Sequence, residues 1–290
     1  MFSVKKISNI AVMASFALIT NLSYANPKVV YGTDGRKEVF SASPNLAELA
    51  RSTAAMIPND YLQEENGAVS LIDIITLKDR FKLCSTELFI NQPTSANCSG
   101  FLIAPDTLVT AGHCIQNKYD CSDSQWVFDY KLESPNKVKT NFLSSDVYHC
   151  KSIVSQALSD YDNNDYAIIK LDRPVVGRTP LKIRTEGKID NSANLVVIGN
   201  PSGLPTKITE GGKIRNNSKS IYFVASLDTF AGNSGSAVLD ANTGLVEGIL
   251  VRGESDYSSS SQGCSKVKVC SEEGCRGEDV TRITNIVDFI

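Results

Sequence analysis

Two short stretches of this chain carry residues able to do acyl-transfer chemistry. His113 sits in Thr110-Ala111-Gly112-His113-Cys114, and Ser234 sits in Gly232-Asn233-Ser234-Gly235-Ser236. An imidazole is the usual base for a hydroxyl nucleophile. A serine among small residues is what an exposed, reactive hydroxyl on a tight turn requires. The chain holds only two histidines, so the base can be assigned in few ways.

The elements that must position these residues read as strands. From about Val69 onward, short runs rich in Val, Ile, Leu, Phe and Thr alternate with Gly, Asn, Asp and Ser turns. Examples are Phe101-Leu102-Ile103, Thr107-Leu108-Val109-Thr110, Tyr166 to Leu171, Leu195 to Gly199, Ile221 to Val224, Ser236 to Leu239 and Gly248 to Val251. Many short strands with regular turns predict an all-β barrel or sandwich. They do not alternate with helix-length amphipathic segments, which disfavours an α/β hydrolase. Leu46 to Ile57 (LAELARSTAAMI) has the composition of a helix, and Ser258 to Ser261 reads as a polar loop tip. No internal repeat is visible.

Composition and cysteine usage bound the setting. The chain has 290 residues, 42% hydrophobic and 21% charged, with a net charge of −3. That is enough for one large or two small domains. No basic patch is visible, which argues against nucleic acid as a partner. Lys5 and Lys6, the apolar run Ile10 to Thr20 and the small-x-small site Ser23-Tyr24-Ala25 follow the order of a secretory signal peptide. Cleavage there starts the mature chain at Asn26. The apolar run is too short to span a bilayer, and no later segment is long and apolar enough, so no membrane association is expected after signal removal. The expected location is secreted or periplasmic.

Eight cysteines suit an exported protein: Cys84, Cys98, Cys114, Cys121 and Cys150 in the first half, Cys264, Cys270 and Cys275 in the second. Both counts are odd, so complete pairing within one chain needs at least one bridge between the halves. There is no Cys-x-x-Cys, and two histidines are few as ligands, so neither a metal nor another cofactor is expected.

In this order, the two stretches resemble the serine endopeptidases of the chymotrypsin/trypsin family. The bacterial glutamyl-endopeptidase-like branch is the nearer likeness. The resemblance covers roughly residues 80 to 253. It implies two six-stranded antiparallel β-barrels with the active site between them. It divides the chain into a signal peptide (1–25), an N-terminal arm or pro-segment (26–65), a first barrel carrying the His and Asp (66–178) and a second carrying the Ser, the oxyanion hole and the specificity pocket (179–290). Cys98 to Cys114 resembles the hairpin that delivers the catalytic histidine, with a disulfide between its end cysteines.

The resemblance also calls for an acid between the histidine and the serine. Asp160, Asp162, Asp165 and Asp172 lie there. Asn163-Asn164-Asp165-Tyr166-Ala167-Ile168-Ile169 matches the family's segment, in which an aspartate stands just before an apolar strand, and this selects Asp165. Its role would be to accept the imidazole N–H and fix the tautomer. Gly232 and Ser234 would supply the N–H pair of the oxyanion hole. Asn233 replaces the aspartate that pairs with a newly cut N-terminus in trypsin-like zymogens, so that activation switch should be absent.

Asp228, six residues before Ser234, stands where trypsin-like enzymes place the carboxylate at the pocket base. Residues 248–253 resemble the pocket wall, which adds Val251, Arg252 and Gly253 as substrate-binding candidates. An open Asp228 favours Lys or Arg in the substrate; an Asp228 neutralised by Arg252 favours apolar or acidic residues. Glutamyl endopeptidases carry a histidine in the wall, and residues 248–253 contain none.

Protein or peptide substrates are the expected partners, and the oligomeric state is left open. Two rival functions remain: a catalytically idle binding protein on the same fold, and an exported esterase. The esterase reading wants Gly-x-Ser-x-Gly with the serine first, and Gly232 to Ser236 departs from both.

Overall fold

Along Asn194–Gly199, Leu195 and Val197 join one apolar cluster with Phe223, Leu227, Val238, Leu250 and Val280. Val196 and Ile198 join a larger one that includes Phe101, Leu108, Ile168 and Ile249. Successive side chains on a strand point to opposite faces. A strand apolar on both faces needs cover on both. Here one face fills the interior of its own barrel, and the other lies in a core shared with the first half of the chain.

The computed structural model describes residues 29–290. Six strands close the first barrel: β1 (Thr53–Pro58), β2 (Cys98–Ala104), β3 (Thr107–Thr110), β4 (Ser124–Phe128), β5 (Val147–Leu158) and β6 (Asp165–Leu171). Their order is β5-β6-β3-β2-β1-β4, and β4 pairs back with β5. The second barrel has β7 (Asn194–Gly199), β8 (Lys207–Asn216), β9 (Tyr222–Ser226), β10 (Ala237–Asp240), β11 (Val246–Arg252) and β12 (Glu278–Arg282). Its order is β7-β10-β11-β12-β9-β8, with β8 closing onto β7. The all-β expectation of two six-stranded antiparallel barrels is met. Among the described residues no helix is long and apolar enough to cross a membrane.

The N-terminal region differs from its expected form. Leu46 to Ile57 splits into a helix and a strand. The helix Pro44–Ala50 starts at Ser43, whose hydroxyl accepts the Leu46 N–H, with proline at the first helical position. It stops before Thr53, where β1 inserts between β2 and β4. In β1, Ala54 and Met56 enter the large shared cluster, while Ala55 and Ile57 meet Val69, Tyr130, Phe142 and Val147. Burial on both faces overrides the helix preference of the alanines. The first barrel therefore begins at Thr53 and not at residue 66, and residues 53–58 are no part of an arm. The proposed signal peptide and the start at Asn26 lie outside the described residues. Ser258 and Ser259 also depart from the loop reading. They belong to a short strand, Tyr257–Ser259, paired with Ser265–Val267, which moves the tip to residues 260–264.

All eight cysteines are paired. Cys98–Cys114 and Cys121–Cys150 lie within the first barrel, and Cys270–Cys275 within the second. Cys84–Cys264 joins the halves, as the odd counts require.

Candidate active site

The hairpin β2–β3 ends in a single helical turn, Gly112–Cys114, that presents His113. Glycine is required at 112 because a side chain there would strike the backbone of Ala157 and Tyr166. The Cys98–Cys114 bridge staples the turn to the start of the hairpin. Asp165 is the first residue of β6 and is fully buried. Its Oδ1 accepts the His113 backbone N–H at 3.1 Å, and its Oδ2 faces His113 Nδ1 at 2.9 Å. Two contacts to one residue set both the position and the rotation of the imidazole. Burial works against the charge of Asp165, but the hydrogen bond and charge of His113, with Arg252 nearby, hold its carboxyl below the ordinary carboxylate range.

The other three candidate acids lie elsewhere. Asp160 and Asp162 are exposed on the loop before β6, and Asp162 accepts the Asn164 N–H. Asp172 follows β6, accepts the His149 N–H and pairs with Arg173.

The segment carrying Ser234 runs between β9 and β10. Gly232 and Gly235 hold φ values of +91° and +87°, a left-handed region open chiefly to glycine. A side chain on Gly235 would overlap Ser99 O and Thr110 Oγ1 and crowd Ala111 N at 3.0 Å. The serine turn therefore rests on the hairpin strand that leads to His113. Cys114 Sγ lies 3.8 Å from the Ser234 carbonyl oxygen. Asn233 is buried, and its Oδ1 accepts the Ser236 hydroxyl at 3.3 Å.

Ser99 was not singled out from sequence. It is fully buried in β2 and clamps the serine turn from the first barrel. Its N–H donates to the Ser234 carbonyl at 2.8 Å and its hydroxyl donates to the Gly232 carbonyl at 2.8 Å. The same hydroxyl accepts the Asn200 N–H, and its carbonyl accepts Thr110 Oγ1. One residue, through its backbone N–H and its hydroxyl, thus ties the residues on both sides of Asn233 to the hairpin bearing the imidazole. A polar residue in an apolar strand was the available signal.

The specificity candidates fall differently from expectation. Asp228 is buried, and its oxygens accept the N–H groups of Tyr31 and Gly35, both at 2.7 Å. These donors belong to an N-terminal segment whose Val30–Tyr31 pairs in parallel with Val269–Cys270. Burial pushes the Asp228 carboxyl up to about 6 against the pull of the two N–H groups. Arg252 does not reach it. That side chain turns to Asn163, Asp165 and Asp279. Val251 is fully buried in the shared core, so it can offer substrate only its backbone. Gly253 lies against the carboxyl of Glu278, which accepts the Thr229 hydroxyl at 3.1 Å.

Among the described residues, the close grouping of metal-ligand types is Cys98, His113 and Cys114. Its two sulfurs are joined to each other, so it offers no thiolates.

Residues 98–249 match the family described as Trypsin-like peptidase domain. The chain belongs to this trypsin-like peptidase family. It is also similar to a glutamyl endopeptidase of Bacillus licheniformis, with 26% identity over 189 residues. That match covers 60% of this chain and 57% of the relative's length. A solved structure of a Glu endopeptidase in complex with MPD is 19% identical, covering 90% of this chain and 96% of that one at a TM-score of 0.47. Human heparin binding protein is 14% identical at a TM-score of 0.53, covering 88% and 94%. This last likeness is one of fold.

Proposed function

We propose that this trypsin-like chain is an exported serine endopeptidase that hydrolyses peptide bonds through an acyl-enzyme. The observation that carries the reading is the two-point grip of Asp165 on His113, on the same hairpin against which the Ser234 turn is clamped. His113 takes the proton of Ser234 Oγ as the hydroxyl attacks the substrate carbonyl. Asp165 holds the tautomer and stabilises the imidazolium. The N–H groups of Gly232 and Ser234 receive the oxyanion. His113 then gives its proton to the leaving amine, and water releases the acyl group by the reverse roles. Against an idle binding protein stands the retention of all three side chains. Against an esterase stands the order His, Asp, Ser.

Export is supported by four disulfides and by the leader-like order of residues 5–25. A preference for Lys or Arg through Asp228 would need a third donor on a carboxyl that already accepts two. The alternative of an Asp228 closed off by Arg252 lacks the contact it requires. We therefore propose peptide hydrolysis without a primary preference set by Asp228.

A fluorophosphonate probe should label the wild type at Ser234 and leave Ser234→Ala unlabelled. The variant should fold and lose about four to six decades of turnover. Near-normal hydrolysis by pure Ser234→Ala protein would remove the serine from the mechanism. Mass spectrometry of a digested peptide library reads the preference directly.

A further inference from the structure

Arg252 ends β11 in the second barrel, yet its guanidinium reaches the first. Nη2 donates to the Asn163 carbonyl at 2.7 Å. Nη1 lies 3.9 Å from Asp165 Oδ2, the oxygen that faces the imidazole. On its other side, Nε lies 3.5 Å from Asp279 Oδ2, and Asp279 is held by two contacts from Arg276 at 2.9 and 2.8 Å. Asn163 has a left-handed φ of +62° two residues before Asp165, so the guanidinium steadies the turn that presents the acid.

We propose that Arg252 is a positioning residue for the Asp165–His113 pair, setting the charge balance beneath the imidazole and bracing the loop that carries Asp165. The proposal rests on the assignment of His113 and Asp165 made above. It gives Arg252 a task in acid–base chemistry and removes it from direct recognition of the substrate side chain.

The charges make the argument. Asp165 and Asp279 contribute two negative charges, and Arg252 and Arg276 two positive ones. Around a neutral imidazole the sum is zero. When His113 takes the serine proton the sum becomes +1. Arg252 then competes with the imidazolium for the Asp165 carboxylate. Its side chain is only 18% exposed, so solvent screens it less than a surface ion. A positive charge at this distance opposes a second one on the ring and favours the free-base form that takes the serine proton. Removing the charge of Arg252 leaves a net −1 that draws a proton onto the ring.

The remaining charged groups nearby have other partners or face solvent. Glu254 pairs with Lys268 at 3.1 Å, Glu278 accepts the Thr229 hydroxyl, and Asp160 and Asp162 sit on the exposed loop.

The test is kcat/KM against pH on a peptide substrate for wild type, Arg252→Gln and Arg252→Lys, with active serine counted by fluorophosphonate titration. Arg252→Gln should move the acid limb up by about half to one pH unit and lower the plateau severalfold. Arg252→Lys should return the limb to its wild-type position but not the plateau, because an ammonium cannot reach both Asp165 and Asn163. Asp279→Asn provides a second arm should the Arg252 variants misfold. It removes a negative charge and should move the limb the other way. A limb unmoved in Arg252→Gln and in Asp279→Asn overturns the proposal. A wild type that neither labels nor turns over overturns instead the assignment beneath it.

Discussion

Asp165 and Asp228 are both buried carboxyls, and each lies within hydrogen-bonding distance of two nitrogens, yet their acidities move in opposite directions. Asp165 is held below the ordinary carboxylate range, whereas Asp228 is pushed up to about 6. Burial raises both. The difference lies in the charge of the neighbours. Asp165 has His113 and Arg252, which can carry full positive charge. Asp228 has two backbone N–H groups, opposed by Asp34 and only partly helped by Arg36. Amide dipoles alone do not repay the desolvation of a carboxylate. One region is built to keep a charge beside the His113 imidazole. The other uses a carboxyl to pin an N-terminal strand to the second barrel.

The sharpest break of this comparison is Asp165→Asn. It should fold and lose about four decades of kcat, because the imidazole is then held in the wrong tautomer. Asp160→Asn and Asp162→Asn, on the exposed loop, should stay within a few-fold of wild type in the same assay. Equal losses at all three positions would dissolve the contrast between Asp165 and its neighbours.

Asp228→Ala should do the reverse. It leaves the Tyr31 and Gly35 N–H groups without their acceptor and should cost about 1–3 kcal/mol in urea unfolding. The cleavage profile on a peptide library should keep its charge preference. A strong shift away from Lys or Arg cleavage, at unchanged stability, would return Asp228 to the substrate pocket and undo its reading as a latch.

The smallest effect is the pH dependence of stability, and its sign differs between the two sites. The folded-state carboxyl of Asp228 is raised, so its contribution is fully present below pH 3.8 and is lost as pH rises through about 6. Asp165 is lowered, so its contribution is present above the unfolded carboxylate range and is lost as pH falls through its folded value. Urea midpoints of wild type, Asp228→Asn and Asp165→Asn between pH 2 and 7 should show the Asp165 gap growing from the acid end and the Asp228 gap shrinking toward neutrality. Parallel movement would mean that one cause governs both carboxyls.

His113, Ser234 and Gly232 were legible because their chemistry is local. A glycine at φ +91° and a serine two residues after it can be read from five consecutive residues. The strands were legible for the same reason, since short apolar runs bounded by turn residues, such as Leu195 to Ile198, read as strands covered on both faces. Asp165 needed family resemblance to be chosen from four acids, and only the hydrogen bonds to His113 separate it physically. The odd cysteine counts required a bridge between the halves, but not which two residues make it.

Tertiary structure decided what depends on residues far apart in the chain. Thr53–Pro58 became a strand because two neighbouring strands flank it, which no alanine-rich segment announces. Ser99 met Gly232, 133 residues away, and Asp228 met Tyr31, 197 away. Arg252 follows Val251, which is buried in the shared core, at a point where the β11–β12 register shifts between Leu250 and Arg252, and its side chain reaches Asp165. Sequence specified which groups could react. The closing of two barrels against each other determined which of them meet, because a charge or a donor acts over a few ångströms whatever its distance along the chain.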